Sequence, residues 1–175
     1  MKILLISLFL FPLFAASQIL HEKDGEVMYT EVINVDSAIS KTELFNRAKV
    51  WFSTEYKSGK DVIQVEDKDA GMIVGKGIFK APLNFGFLVG TKIVNVSHTV
   101  KLLFKDGKYR YEITGLSGEY FMDEYGRRPM PITNRGYGSN EKNYDKFLYS
   151  VNTEILGTIS DLKEAMSKSI TVEDF

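Results

Sequence analysis

Val96-Ser97-His98-Thr99-Val100-Lys101-Leu102-Leu103-Phe104-Lys105-Asp106-Gly107-Lys108-Tyr109-Arg110-Tyr111-Glu112-Ile113 alternates apolar and polar residues on both sides of a central Asp106-Gly107. Alternation with period two marks a half-buried strand, and Asp-Gly is a preferred loop of the tight type I′ hairpin turn. With those two residues as the loop, Phe104 faces Tyr109, Leu102 faces Tyr111 and Val100 faces Ile113, while Lys101 meets Glu112 on the opposite side. One face of this hairpin is apolar and the other is charged. Such a sheet needs helices on one face only.

The helices are legible on either side of the hairpin. Upstream, Ser40 and Glu43 are spaced for a capping box, and Ile39 and Leu44 for a hydrophobic staple. Leu44, Phe45, Ala48, Trp51, Phe52 and Tyr56 then share one helical arc, and Gly59 follows as a stop signal. Downstream, Tyr144, Leu148, Val151, Ile155, Ile159, Leu162 and Met166 step by three or four residues along a second amphipathic helix, with Gly157 on its opposite side. Glu26 to Val35, Val62 to Glu66 and Gly71 to Lys80 have strand composition. Together with the hairpin strands, Thr91 to Phe104 and Lys108 to Leu116, they give the order strand, helix, four strands, helix. The expected class is α+β, a single antiparallel sheet of about five strands with two helices on one face. Gly118 to Ser139 is expected to be a long connection.

Lys41-Thr42-Glu43-Leu44-Phe45-Asn46-Arg47-Ala48-Lys49-Val50-Trp51-Phe52, with Tyr29-Thr30-Glu31-Val32 before it and Gly71-Met72-Ile73-Val74-Gly75-Lys76-Gly77 after it, resembles a family of exported bacterial proteins. That family, domain of unknown function 4468, is described as having a TATA-binding-protein-like fold. The element order is similar to one half of that fold, and also to the helix-grip fold of the pollen-allergen and lipid-transfer type, which differs in strand count. The resemblance implies no catalytic residues, and a fold name does not carry DNA binding with it.

Several residues are candidates for a site. His98 falls on the apolar hairpin face between Val96 and Val100, with Gly115 opposite. Buried there, it is either a core histidine with one or two hydrogen bonds or an imidazole that contacts a ligand. Gly75 and Gly77 leave one strand face without side chains. An aromatic such as Trp51 fills that room, a bulge bends the strand, or a pocket for an apolar ligand opens there. His98, Gly75, Gly77, Trp51 and Tyr111 are thus the expected ligand-binding set. Glu55, beside Trp51 on the arc, is expected to bend out to water. Tyr120, Tyr125, Arg127, Arg128 and Tyr137, in the long connection, are the expected partner-binding set. Phe85, Phe87 and Leu88 are expected to tuck under the domain edge, the alternative being an apolar patch that meets a lipid surface or a partner.

Lys2 is followed by an apolar run from Ile3 to Phe14 and by Ala15-Ala16-Ser17, the pattern of a secretory signal peptide cleaved between Ser17 and Gln18. The run is shorter than the roughly 20 apolar residues of a bilayer-spanning helix and contains Pro12. Residues 1–17 are read as the signal and 18–175 as one α+β domain with no transmembrane span. The expected product is exported, periplasmic or extracellular, and not a lipoprotein, because the chain has no cysteine. The same lack excludes disulfides and thiolate metal sites, and two histidines cannot build a multi-histidine zinc site. A formal charge of -1 argues against nucleic acid as a partner. No nucleotide or hydrolase motif is present, so no catalytic residues, cofactor or metal are expected. The expectation is a non-enzymatic binding or interaction module of the cell envelope, its partner an envelope protein. The alternative is a carrier of a small apolar ligand in a cavity between the sheet and the C-terminal helix.

Overall fold

The computed structural model describes residues 20–23, 26–56, 62–122, 126–137 and 140–169, with the backbone alone for 20–23, 120–122 and 126–128. The elements run β1 (Leu20–Lys23), β2 (Glu26–Asn34), α1 (Lys41–Glu55), β3 (Ile63–Asp67), β4 (Met72–Asn84), β5 (Thr91–Lys105), β6 (Lys108–Met122), β7 (Gly126–Pro131) and α2 (Glu141–Ser167). They form one antiparallel sheet in the order β1-β2-β6-β5-β4-β3, with β7 also paired to β6. The α+β class, the single sheet and the two helices are as the sequence indicates. Two strands, β1 and β7, are additional.

The hairpin register is the expected one. Phe104 pairs with Tyr109, Leu102 with Tyr111, Val100 with Ile113 and Lys101 with Glu112. The register then shifts beyond Thr99, where Gly115 and Leu116 together oppose His98. Gly115 has φ +64, a left-handed conformation that L side chains resist, and so supplies the residue at which the strand can bulge. The extra residue reverses the inward parity of β6. Tyr109, Tyr111 and Ile113 point to the helices before the bulge, and Leu116 and Gly118 after it.

That reversal lets β6 continue, which corrects the expected connection from Gly118 to Ser139. β6 runs on to Met122 and pairs with β7 from Ser117↔Pro131 to Met122↔Gly126. Pro129 and Pro131 mask β7 as a strand in the sequence, because proline has no N–H for a ladder. An edge strand tolerates them.

α1 starts as expected but closes its capping box only in part. Ser40 Oγ accepts from the Glu43 amide at 3.1 Å, whereas the Glu43 carboxylate takes the Arg47 Nε–H at 2.9 Å. Arg47 is buried and also donates to the Met166 carbonyl at 2.8 Å, joining the start of α1 to the end of α2. On α2 the expected stripe is buried except that Leu148 is partly covered, and Phe147 joins it. Gly157 is exposed, with nothing near where a Cβ would stand. The apolar core lies between the two helices and the inner sheet face, with Phe147 stacked on Tyr137 at 4.8 Å between centroids.

Tyr137 holds the β6–β7 end to this core. Its hydroxyl accepts from the Gly118 amide at 3.0 Å and lies 2.7 Å from the Gly118 carbonyl and 2.5 Å from that of Met130, to one of which it donates. A Cβ on Gly118 would stand 2.7 Å from that oxygen. We expect Tyr137→Phe to cost about 1–3 kcal/mol in urea denaturation, because the buried Gly118 amide loses its acceptor. An unchanged midpoint would assign the stability to ring packing alone.

Candidate functional site

At the C-terminal end of α1, the helix sets Trp51, Phe52 and Tyr56 against two glycines of β4. A Cβ on Gly75 would stand 2.5 Å from the Phe52 ring, and one on Gly77 would stand 2.3 Å from the Tyr56 ring and 2.6 Å from that of His98. The glycines therefore make room for aromatic rings, and Phe52 and Tyr56, rather than the expected Trp51, occupy it. Trp51 is 2% exposed and packs edge-on against Phe52 and Tyr56, with centroids 4.8 and 5.9 Å apart. Its Nε1 is buried with no partner among the described residues.

His98 is 3% exposed, opposite Gly77 in the β4–β5 ladder. Its Nε2 lies 3.0 Å from the Tyr56 hydroxyl, and its ring is also close to that of Phe79. Nδ1 is buried with no partner among the described residues. An imidazolium has two N–H donors to satisfy, so protonation here would bury a charge with one of them unbonded. Burial accordingly lowers the His98 pKa to about 4, and raises that of the Tyr56 hydroxyl, with Glu55 adding to the rise. At neutral pH the pair is an uncharged tyrosine–histidine hydrogen bond inside a packed wall. His98 is the enclosed member of the pair, and Tyr56 is partly exposed at the end of α1.

The expected ligand-binding residues thus divide into two groups. His98, Gly75, Gly77 and Trp51 share the wall just described, and the space beneath the glycines is occupied by rings. Tyr111 belongs to a second cluster, where its hydroxyl donates to Glu31 Oε2 at 3.0 Å and Lys163 of α2 reaches the same oxygen at 2.7 Å. Lys163 Nζ also lies 5.9 Å from the Tyr111 ring centroid. Sequence spacing did not signal this contact between β2, β6 and α2.

Of the expected partner-binding residues, Tyr137 is in the core rather than on a surface. The backbones of Tyr120 and Arg128 pair across the β6–β7 ladder, and Arg127 pairs with Phe121. The side chains of Tyr120, Arg127 and Arg128, and the whole of Tyr125, lie outside the described residues.

The helices leave an open groove of about 580 Å³, bordered by Arg47, Trp51, Glu55, Asp161, Glu164 and Lys168. It differs from the expected carrier cavity, since it runs between α1 and α2 at the surface. Glu55 is half-buried there, and burial, then the charge of Asp161, raise its pKa against a Thr158 hydrogen bond that lowers it. Its expected position in open water is corrected to this groove wall.

Among the described residues, the most exposed large apolar side chains lie in the β4–β5 turn. Phe85 N–H donates to the Gly90 carbonyl and Gly90 N–H to the Gly86 carbonyl, both at 2.8 Å, while Asn84 Oδ1 accepts from the Gly86 amide. Gly86 and Gly90, with φ of +91 and +78, bracket the turn and let it close this tightly. Between them Phe87 is 102% exposed, Leu88 96% and Val89 57%. Phe85 is partly buried, as the tucked expectation has it. Phe87 and Leu88 reverse that expectation, because both glycine-bracketed positions point away from the sheet edge.

A one-sided sheet with two helices on its inner face places the chain in the TBP-like class of α+β folds. Residues 29–118 match the family described as "Domain of unknown function (DUF4468) with TBP-like fold". The chain belongs to the DUF4468 family. Two solved structures share its fold: a TBP-like protein from Parabacteroides distasonis ATCC 8503, with 17% identity and a TM-score of 0.64 over 86% of this chain and 99% of that one, and a DUF4468 family protein from Bacteroides ovatus ATCC 8483, with 17% identity and a TM-score of 0.64 over 87% and 92%. No curated protein matches the chain.

Proposed function

We propose that this DUF4468 chain is an exported, non-enzymatic interaction module of the cell envelope, and that the β4–β5 turn is its recognition surface. The observation that supports this reading is the full exposure of Phe87 and Leu88 on a turn closed by hydrogen bonds. Each such side chain forgoes about 1.5–3 kcal/mol by staying in water, which association with an apolar surface would recover. Export rests on the Lys2 to Ser17 signal pattern. The ring-filled space beneath Gly75 and Gly77 and the burial of His98 favour recognition at the surface over a ligand carried inside.

Fractionation of host cells that express the Phe87→Ser, Leu88→Ser double variant tests the reading. The variant is expected to move from the envelope fraction to the soluble exported fraction, with its urea midpoint changed by less than about 0.5 kcal/mol because both positions are exposed. Retention equal to that of the unsubstituted protein would remove the turn from the role.

A further inference from the structure

We infer that the β4–β5 turn docks on a lipid bilayer with anionic headgroups, an inference that rests on the turn being the recognition surface. From Gly71 to Lys105 the chain carries five lysines and no carboxylate. Two of those lysines, Lys80 and Lys92, flank the turn. Lys92 pairs with Leu83, one rung from the last pair Asn84↔Thr91, and its Nζ lies 5.8 Å from the Phe85 ring centroid. Lys80 pairs with Asn95 three residues further back on β5 and is exposed.

The hairpin also runs past the end of β5–β6 pairing, with Ala81, Leu83 and Val94 on its inner face still buried in the core. The last described β5–β6 pair is Asn95↔Glu119, and four rungs of β4–β5, from Ala81↔Val94 to Asn84↔Thr91, continue past it. At about 3.3 Å per residue those rungs span roughly 10 Å beyond β6, and the turn at their end, rather than the packed rungs, is the part placed to enter a bilayer interface. The outer face of this extension carries exposed Pro82 and Ile93, with Ile78 beyond them, behind the Phe87-Leu88-Val89 end. Glu119 is the carboxylate in the row of Lys80 and Asn95, and no Asp or Glu lies on the rungs beyond it.

This order of groups matches the order of environments in a membrane surface. Phe87, Leu88 and Val89 would enter the acyl boundary, Lys92 would lie at headgroup depth, and Lys80 would follow within the layer where anionic charge attracts lysine. A second copy of the chain would bring the same lysines together and repel. An apolar groove on a protein would leave the lysines without a role. The exposed apolar tip and the cationic flanks together suit an anionic apolar interface.

Flotation of the processed chain from Gln18 with phosphatidylglycerol–phosphatidylcholine vesicles, against phosphatidylcholine alone, tests the inference. The protein should float with the anionic vesicles, and added salt should weaken this association. Phe87→Ser with Leu88→Ser should lower the partition coefficient about tenfold or more. Lys80→Glu with Lys92→Glu should abolish the preference for phosphatidylglycerol, with a loss of about fivefold or more per lysine. Failure of the unsubstituted chain to float, or equal flotation of the serine double variant, overturns the lipid assignment. If flotation fails while the serine variant still leaves the host envelope fraction, the turn remains a recognition surface and its partner is a protein. If neither assay responds to the serine variant, both readings fall.

Discussion

Phe52→Ala is expected to remove about 3–5 kcal/mol of unfolding free energy, a large share of the 5–15 kcal/mol typical of a domain. The ring is fully buried and fills the space opened by Gly75. Gly75→Ala should by itself cost about 1–3 kcal/mol, because the new methyl would lie 2.5 Å from a ring that the core holds in place. In the Phe52→Ala background the same methyl enters vacated space. The double variant should therefore be less destabilised than the sum of the single changes by about 1–3 kcal/mol. Urea denaturation of the four proteins at one pH measures this coupling. Strict additivity would show that the glycine is not there to admit the ring.

The second large effect is on acid stability. Burial lowers the His98 pKa from 6.5 to about 4, so the unfolded chain takes up a proton at a higher pH than the folded one. Between these values the unfolded state binds more protons, and stability falls as the pH is lowered. The contribution is fully present above pH 6.5, is lost progressively toward pH 4, and falls no further below it. The shift corresponds to a loss on the order of 3 kcal/mol across the window. His98→Gln retains a hydrogen-bonding group near Tyr56 but does not titrate. Between pH 7.5 and pH 4.5 it should lose about 2–3 kcal/mol less stability than the unsubstituted protein. Parallel acid profiles for the two proteins would show that His98 titrates normally and that its burial carries no such cost.

Legibility of the chain follows the range of the interactions. The Ser40 cap, the Asp106-Gly107 turn and the α2 stripe depend on residues within one or two turns of each other, and all are found where the residues indicate. β7 escapes notice because Pro129 and Pro131 carry the signature of a connection. Only the β6 edge beside them makes them acceptable. The β6 extension escapes because Gly115 interrupts the alternation, and its meaning as a bulge depends on His98 in the neighbouring strand.

The candidate site was legible in composition and less so in arrangement. His98 and the two glycines stood out as unusual residues on an apolar face, and their burial followed from strand parity alone. Which ring fills the glycine space did not. Trp51, Phe52 and Tyr56 share one arc, and helical periodicity defines that arc without choosing the residue that crosses a given rung of β4. Rotation of α1 about its axis makes the choice, and that rotation is set by close packing along its whole length. The Arg47 contact with the Met166 carbonyl is part of that arrangement, made across 119 residues of sequence. The turn at Phe87 and Leu88 shows the same division. Its apolar character and flanking lysines are plain in the residues, while its place beyond β6 depends on where β5–β6 pairing ends.

The amino-acid order by itself thus determined the α+β class, the hairpin register and the amphipathic faces, because alternation and helical periodicity act over a few residues. Tertiary structure alone decided that Tyr56 meets His98, that Tyr137 closes over Gly118, and that Phe87 and Leu88 remain outside the core. Each of these outcomes requires separate elements to pack in three dimensions at once, and no local pattern encodes the rotation and offset at which they meet.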